Sequence, residues 1–228
     1  MLTTVFSLGG SLLFKEGKLD VEFFKAIADL FKEFSRKEKI FVCVGGGYCS
    51  RLYATGVREI SGNEFLADEA AILATRSNAF ALIAAIGVKA YARPVTDFNE
   101  AKIALDSGLI GVGAGIIPGI TTDADASMFA ERLGAKRLIN LSTSAVYCSD
   151  PKKNPKAKKF DSMTHVQLAQ LALEQDNRNA KSGFIFDILA CKLCKRSNIE
   201  IVFIEGQDLK QVKAAFNNEK HNGTIVRN

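Results

Sequence analysis

Five short apolar runs recur along the chain, at 3 to 8, 39 to 44, 108 to 112, 137 to 141 and 199 to 204. They are rich in Val, Ile, Leu and Phe and lack strict alternation, the pattern of strands buried on both faces. Between them lie stretches of helical periodicity near 20 to 37, 63 to 86, 123 to 133, 164 to 175 and 183 to 197. Strand, helix, strand alternation predicts an α/β fold with a mostly parallel sheet covered on both sides. Asp20 and Thr164 stand at expected N-cap positions.

Ligands of such sheets bind beyond the carboxyl ends of the strands. Glycines gather at those ends: "SLGGS" after the first run, "VGGGY" after the second and "GVGAGIIPG" at the third. Glycine loses more backbone entropy on folding than other residues, so three in succession need a reason. Turn geometry alone explains one such exit. Three exits at one sheet edge place several sets of main-chain N–H groups around a shared anion, and a phosphate site is the expectation.

With 228 residues and 47% apolar content, the chain is expected to form one domain over 1 to 228 with a full core. The opening "MLTTVFSLGGSLL" has no basic leader and reads as a first strand. The longest apolar run, "AFALIAAIGV" at 79 to 88, lies between Arg76 and Lys89 and is shorter than a membrane span. The five cysteines include Cys43 in a buried strand, which fits a soluble protein of the reducing cytoplasm. "CKLC" at 191 to 194 has helical neighbours and no partner pair at zinc spacing, so core packing is favoured over metal chemistry. The net charge of +5 is matched by five lysines in "KKNPKAKK" at 152 to 159. Basic residues confined to one loop do not make a nucleic-acid surface. That loop is read either as solvated or as lying near phosphates.

The Walker pattern GxxxxGK[ST], the GxGxxG fingerprint, the HRD and DFG kinase signatures and HExxH are all absent. Phosphoryl transfer by positioning and electrostatics remains, with backbone amides and a few cations holding donor and acceptor in line.

"FSLGGS" at 6 to 11, "VGGGYCSRLY" at 44 to 53, "EFLADEAAILATRSNA" at 64 to 79, "PGITTDADA" at 118 to 126, "VYCSDPKKNPKAKKFDSM" at 146 to 163 and "HNGTIV" at 221 to 226 are spread in order over almost the whole chain. Together they resemble the archaeal-type UMP kinases of the amino-acid-kinase superfamily. The resemblance implies a three-layer αβα sandwich that transfers the γ-phosphoryl group of ATP to UMP, with magnesium on the nucleotide and assembly into hexamers built from dimers. It places Gly10, Ser11, Gly47, Arg51, Ser142, Tyr147 and Asp150 on ATP. It places Gly46, Asp68 and the loop of Ile116, Ile117, Pro118, Gly119, Ile120, Thr121 and Thr122 on UMP. Ser11 and Asp187 fall at the transfer point.

Each side chain also has a plainer reading. Arg51 is a fork for phosphate oxygens or a surface cation near a helix start, an unfavourable place without an anion. Asp68 is a ribose acceptor or the cap of an apolar helix. Thr121 and Thr122 bind a ligand or cap the helix of "DADA". Asp187 organises transfer or opens a helix. Ser7 stands where many members of the superfamily carry lysine. In "LSTSAVY" at 141 to 147, Leu141, Ser142, Ser144 and Ala145 replace Thr, Asn, Asp and Gly. Those changes motivate two other readings: a weakly catalytic nucleotide- or anion-binding paralogue, and a kinase of another small phosphate or acid such as isopentenyl phosphate.

Overall fold

The computed structural model describes residues 1–149, 151, 154–175 and 186–228. In chain order the strands are β1 (Thr3–Leu8), β2 (Phe14–Lys15), β3 (Lys18–Leu19), β4 (Lys39–Val44), β5 (Gly111–Gly113), β6 (Arg137–Ser142), β7 (Ser162–Met163), β8 (Glu200–Glu205) and β9 (Thr224–Val226). The helices are α1 (Val21–Phe34), α2 (Gly47–Ser61), α3 (Glu64–Ile86), α4 (Phe98–Asp106), α5 (Thr122–Arg132), α6 (His165–Gln175), α7 (Ile188–Arg196) and α8 (Leu209–Phe216). A short 3-10 turn, Gly10–Leu13, follows β1.

The main sheet has seven strands in the order β5-β4-β1-β6-β8-β9-β7. The five from β5 to β8 run parallel, β9 is antiparallel to β8, and β7 is parallel to β9. The chain winds outward from β1 through β4 to β5, then returns to build β6 on β1's other side. That reversal beside β1 is the crevice where an open α/β sheet takes its ligand.

Side chains alternate between two cores, as strand geometry requires. Phe6, Val42 and Ile139 face a core with α1, α3 and α8, while Val5, Phe41 and Leu138 face one with α4, α5, α6 and α7. The expected sheet between two helical layers is therefore present. Phe34 stacks on Phe216 at 3.8 Å and Phe6 packs edge-on to Phe31 at 5.0 Å, tying α1 and α8 to the sheet.

Local chemistry sets the helix ends. The Asp20 carboxylate accepts from Phe23 N at 3.0 Å, as expected of an N-cap. Thr164 completes a reciprocal capping box: its Oγ1 accepts from Gln167 N, and Gln167 Oε1 accepts from Thr164 N. The expected strand at 108 to 112 is displaced to Gly111–Gly113, because Ser107 caps α4 and Gly108 turns at φ +75. Of the helix expected at 183 to 197, residues from Ile188 onward are helical, and 183 to 185 lie outside the described residues.

The segment Glu64–Lys89 is long and apolar enough to cross a bilayer by length and composition alone, which the shorter run at 79 to 88 did not lead one to expect. Its inner face, with Ala67, Ala74, Ala79, Leu82 and Ile86, is buried. Its outer face leaves Phe65, Leu73 and Phe80 exposed. Cys191 and Cys194 are buried in the α7 core, and burial pushes both thiols up to about 12, the state of inert packing groups.

Candidate functional site

Main-chain contacts bring the exits of β1, β4, β6 and β8 into one cluster. Gly9 N donates to Leu141 O at 2.8 Å, Gly45 N to Leu8 O at 2.9 Å, and Gly206 N to Ser142 O at 2.9 Å. A Cβ on Gly10 would overlap Gly47 N and stand 2.7 Å from the carbonyl carbons of Gly45 and Gly46. Glycine is thus required at Gly10 by close approach of two backbones, and at Gly47 also by φ +60.

Gly47 opens α2, whose N-cap, Gly46, has no side chain to occupy the first-turn N–H groups. Those amides and the helix dipole favour an anion at this point. Arg51 is exposed one turn later and enters none of the ion pairs among the described residues. Asn78 of α3 fixes the carbonyls from behind, its Nδ2 donating to Gly45 O at 2.9 Å and Gly46 O at 3.0 Å. Ser11 is exposed on the 3-10 turn beside Gly10.

The exit of β5 is held by α3. Gly115 N donates to Thr75 Oγ1 at 2.8 Å, and Arg76 Nε donates to Gly115 O at 3.4 Å. Asp68 is not a helix cap: Asn63 caps α3, and Asp68 sits one turn inside, accepting from Gly119 N at 2.8 Å. The segment from Ile116 to Thr122, with Pro118 and Ile120 half-buried and Ile117 exposed, is therefore pinned to the helix that carries Asp68.

Thr121 and Asp187 each fill two positions at once. Thr121 is the N-cap of α5, accepting from Ala124 N, and its hydroxyl donates to Asp187 Oδ2 at 3.0 Å. Asp187 in turn caps α7 through Leu189 N and Ala190 N. The plain reading of each as a capping residue is correct, and the caps also join α5 to α7 at the site's edge.

Ser142 turns its Oγ inward to Ser144 O at 2.8 Å, so this altered turn satisfies part of its own polarity. Tyr147 bridges antiparallel to Lys159, and Cys148 N donates to Lys158 O. The end of the basic loop is thereby tied to the Tyr147 strand. Asp150, Lys152 and Lys153 lie outside the described residues.

Asp123 escaped the sequence reading. Its Oδ1 accepts from Ser7 Oγ at 2.7 Å and from Asn140 Nδ2 at 2.8 Å, linking β1 to β6 beneath the glycines. The signal for it was the position of Ser7, where a polar side chain on a buried strand requires a partner. Dehydration raises the Asp123 pKa to about 6; the Asp187 charge adds to this, and the bonds from Ser7 and Asn140 oppose it. The unfolded chain ionises near the ordinary carboxylate value, so this group lowers folding stability as pH rises from about 4 to about 6. Asp123→Asn is expected to be about 1–2 kcal/mol more stable than the parent above pH 6 and to differ little near pH 4, read by calorimetric melting at both values.

A family model of the amino acid kinase family matches residues 3–205. The uridylate kinase of Methanococcoides burtonii is 43% identical over 209 residues, covering 91% of this chain and 88% of that relative. That of Thermococcus kodakarensis is 39% identical over 223 residues, covering 97% and 98%. Among solved structures, uridylate kinase from Archaeoglobus fulgidus superposes with a TM-score of 0.85 at 33% identity, covering 98% of this chain and 99% of the other. The full-length match in sequence agrees with the sheet order and with the glycine exits closed on one another, and the chain belongs to the amino acid kinase family, with uridylate kinases as its relatives.

Proposed function

We propose that the chain transfers the γ-phosphoryl group of ATP to UMP, giving UDP and ADP, and that residues 1–228 act as one unit in doing so. The observation that carries this reading is the main-chain closure of Gly10 on Gly45–Gly47 beside a loop latched to Asp68. It supports a phosphate seat at the amino end of α2 with an acceptor loop beside it.

On this reading Gly10, Ser11 and Gly47 present amides to the ATP phosphates, and Arg51 lays its fork across phosphate oxygens as charge builds during transfer. Gly46 lets the acceptor phosphate approach the same backbone. Asp68 exchanges its Gly119 contact for the ribose hydroxyls of UMP, and the loop from Ile116 to Thr122 wraps the acceptor. Ser142, Tyr147 and Asp150 border the adenosine. Asp187 and Asp123 hold α5, α7, β1 and β6 in register around the transfer point. Most of the rate gain asked of such a site comes from alignment and fixed dipoles, because the protein forms no bond to the phosphoryl group.

Among the described residues no three acidic, His or Cys side chains are grouped to hold a metal ion. Magnesium on this reading would come with the phosphates of ATP, and the chemistry it would supply there is neutralisation of phosphate charge. The apolar outer face of α3, with Leu73 and Phe80 more than half exposed, supports assembly through that helix into the hexamers the resemblance implies. Five free cysteines suit a cytoplasmic setting.

Purified protein with ATP, magnesium and a panel of acceptors tests the proposal. UDP formation is expected from UMP in preference to CMP, AMP and isopentenyl phosphate. No turnover of UMP by folded protein would overturn it, and preference for isopentenyl phosphate would reassign the acceptor. Sedimentation velocity in parallel reads the assembly, with a monomer counting against the hexamer.

A further inference from the structure

Thr75 lies within α3 and is 5% exposed, so it has little surface to offer a nucleotide directly. Its hydroxyl is nonetheless fully committed. Oγ1 donates its one proton to Ile72 O at 2.6 Å, inside the helix, and accepts from Gly115 N at 2.8 Å, 40 positions further along the chain. A helical threonine satisfies itself with the first of these bonds alone. The second leaves the helix and ends on the residue that immediately precedes the Ile116–Thr122 loop.

The surroundings of this bond are tight on both sides. A Cβ on Gly115 would stand 3.1 Å from Ile72 Cγ1 and 3.1 Å from Thr75 Oγ1, so Gly115 lies directly against the helix. A Cβ on Gly46 would stand 3.2 Å from Thr75 Cγ2. The methyl of Thr75 therefore faces the β4 exit while its hydroxyl holds the β5 exit. Branching at Cβ leaves few rotamers in a helix, and the Ile72 bond selects among them.

We propose that Thr75 is a positioning residue of the acceptor site, setting the separation between the Gly46 turn and the head of the Ile116–Thr122 loop. The proposal rests on the reading of Gly46 and that loop as the UMP-binding segments. The other side chains of α3 that reach the site hold different atoms. Asn78 bonds the carbonyls of Gly45 and Gly46, Asp68 holds the loop further on at Gly119, and Arg76 meets Gly115 O at 3.4 Å. Gly115 is buried, so its N–H without the Thr75 oxygen reaches another acceptor only if the head of the loop moves. Both bonds of Thr75 end on residues, Ile72 and Gly115, that have no part in the proposed ATP site. The consequence of losing them falls on the acceptor.

Isothermal titration calorimetry of the full chain with UMP, and separately with ATP and magnesium, tests this on the parent, Thr75→Val and Thr75→Ser, with melting followed alongside. Thr75→Val keeps the shape and the methyl contact but removes the acceptor. Ile72 O retains its helical donor, so the group orphaned is Gly115 N. Thr75→Val is expected to weaken UMP by roughly tenfold or more and to leave ATP within about twofold. Thr75→Ser keeps the oxygen and is expected to bind UMP within about threefold of the parent. Parental UMP affinity in a folded Thr75→Val chain overturns the proposal, as does a loss shared equally by ATP and UMP, which is what general loosening of the fold produces. A Thr75→Ser chain as weak for UMP as Thr75→Val overturns it too. If Thr75→Val does not fold, Thr75→Cys decides in its place, because sulfur is the weaker acceptor: UMP binding about threefold or more below that of Thr75→Ser, with ATP unchanged, supports the proposal, and equal binding overturns it. A parent that binds ATP but not UMP refutes the acceptor reading and this proposal with it, a result distinct from any variant's behaviour.

Discussion

Gly10→Ala is expected to lower kcat/KM at least ~100-fold and the melting temperature by roughly 3–10 °C. The added Cβ would lie against the nitrogen of Gly47 and the carbonyl carbons of Gly45 and Gly46, all of them main-chain atoms without a rotamer to give way. Relief requires the β1 and β4 exits to part by about 1 Å, a displacement that alone costs a reaction of this kind about two orders of magnitude. Overpacking of about 1–3 kcal/mol accounts for the thermal effect in a chain of this length. Gly56→Ala is the matched control. A Cβ there meets nothing within 4 Å in the middle of α2, so activity is expected to hold and stability to rise by about 0.5–1 kcal/mol. Steady-state kinetics and melting curves of the two variants separate the effects, and parental activity in Gly10→Ala would remove the closed cradle from the mechanism.

Arg51→Ala is expected to cost roughly 100- to 1000-fold in kcat/KM with no measurable change in melting temperature. The guanidinium is exposed and supports no ion pair among the described residues, so its loss takes nothing from the fold. What it removes, on the proposed reading, is a planar pair of donors at the amino end of α2, where the phosphates of the two nucleotides would meet. Arg51→Lys keeps the charge without the fork and is expected to recover only part of the loss. Unchanged kinetics in Arg51→Ala would return this residue to the role of a surface cation.

The layered sheet was legible because Val5, Phe41, Leu138 and their neighbours are apolar on both faces, a pattern that surface helices do not produce. The convergence of the glycine exits was legible for the same reason: parallel strands end on one edge. The elements that escaped lacked such signals. No residue of α2 is buried, so its sequence carries no core stripe to read. The helices α4 and α8 are 9 and 8 residues long, too short to set up a clear period. Leu109 and Ile110 look like strand residues, yet Leu109 N closes back on Ala104 O at the end of α4, and the strand starts later.

Among the candidate residues, those named from the sequence stand in motifs, and the buried carboxylates of α5 were missed. Asp68, Thr121 and Asp187 stand in recognisable runs. Asp123 and Asp125 take their meaning from the face of α5 that turns onto β1, β4 and β6, a fact of packing that the string "TDADA" does not contain. Capping and mutual contact also prove compatible, since Thr121 and Asp187 cap helices while bonding to each other.

β1 lies between β4 and β6, and Arg137 at the start of β6 donates to Thr4 Oγ1, 133 positions earlier in the chain. During synthesis β1 thus waits for β6, which begins at Arg137, before its second neighbour exists. On the proposed reading nucleotide cannot assist the early stages of folding, because one wall of its seat has not yet been synthesised. A nascent chain of this kind exposes an unpaired apolar strand edge throughout that interval, and shielding during translation matters more to its yield than the stability of the finished molecule.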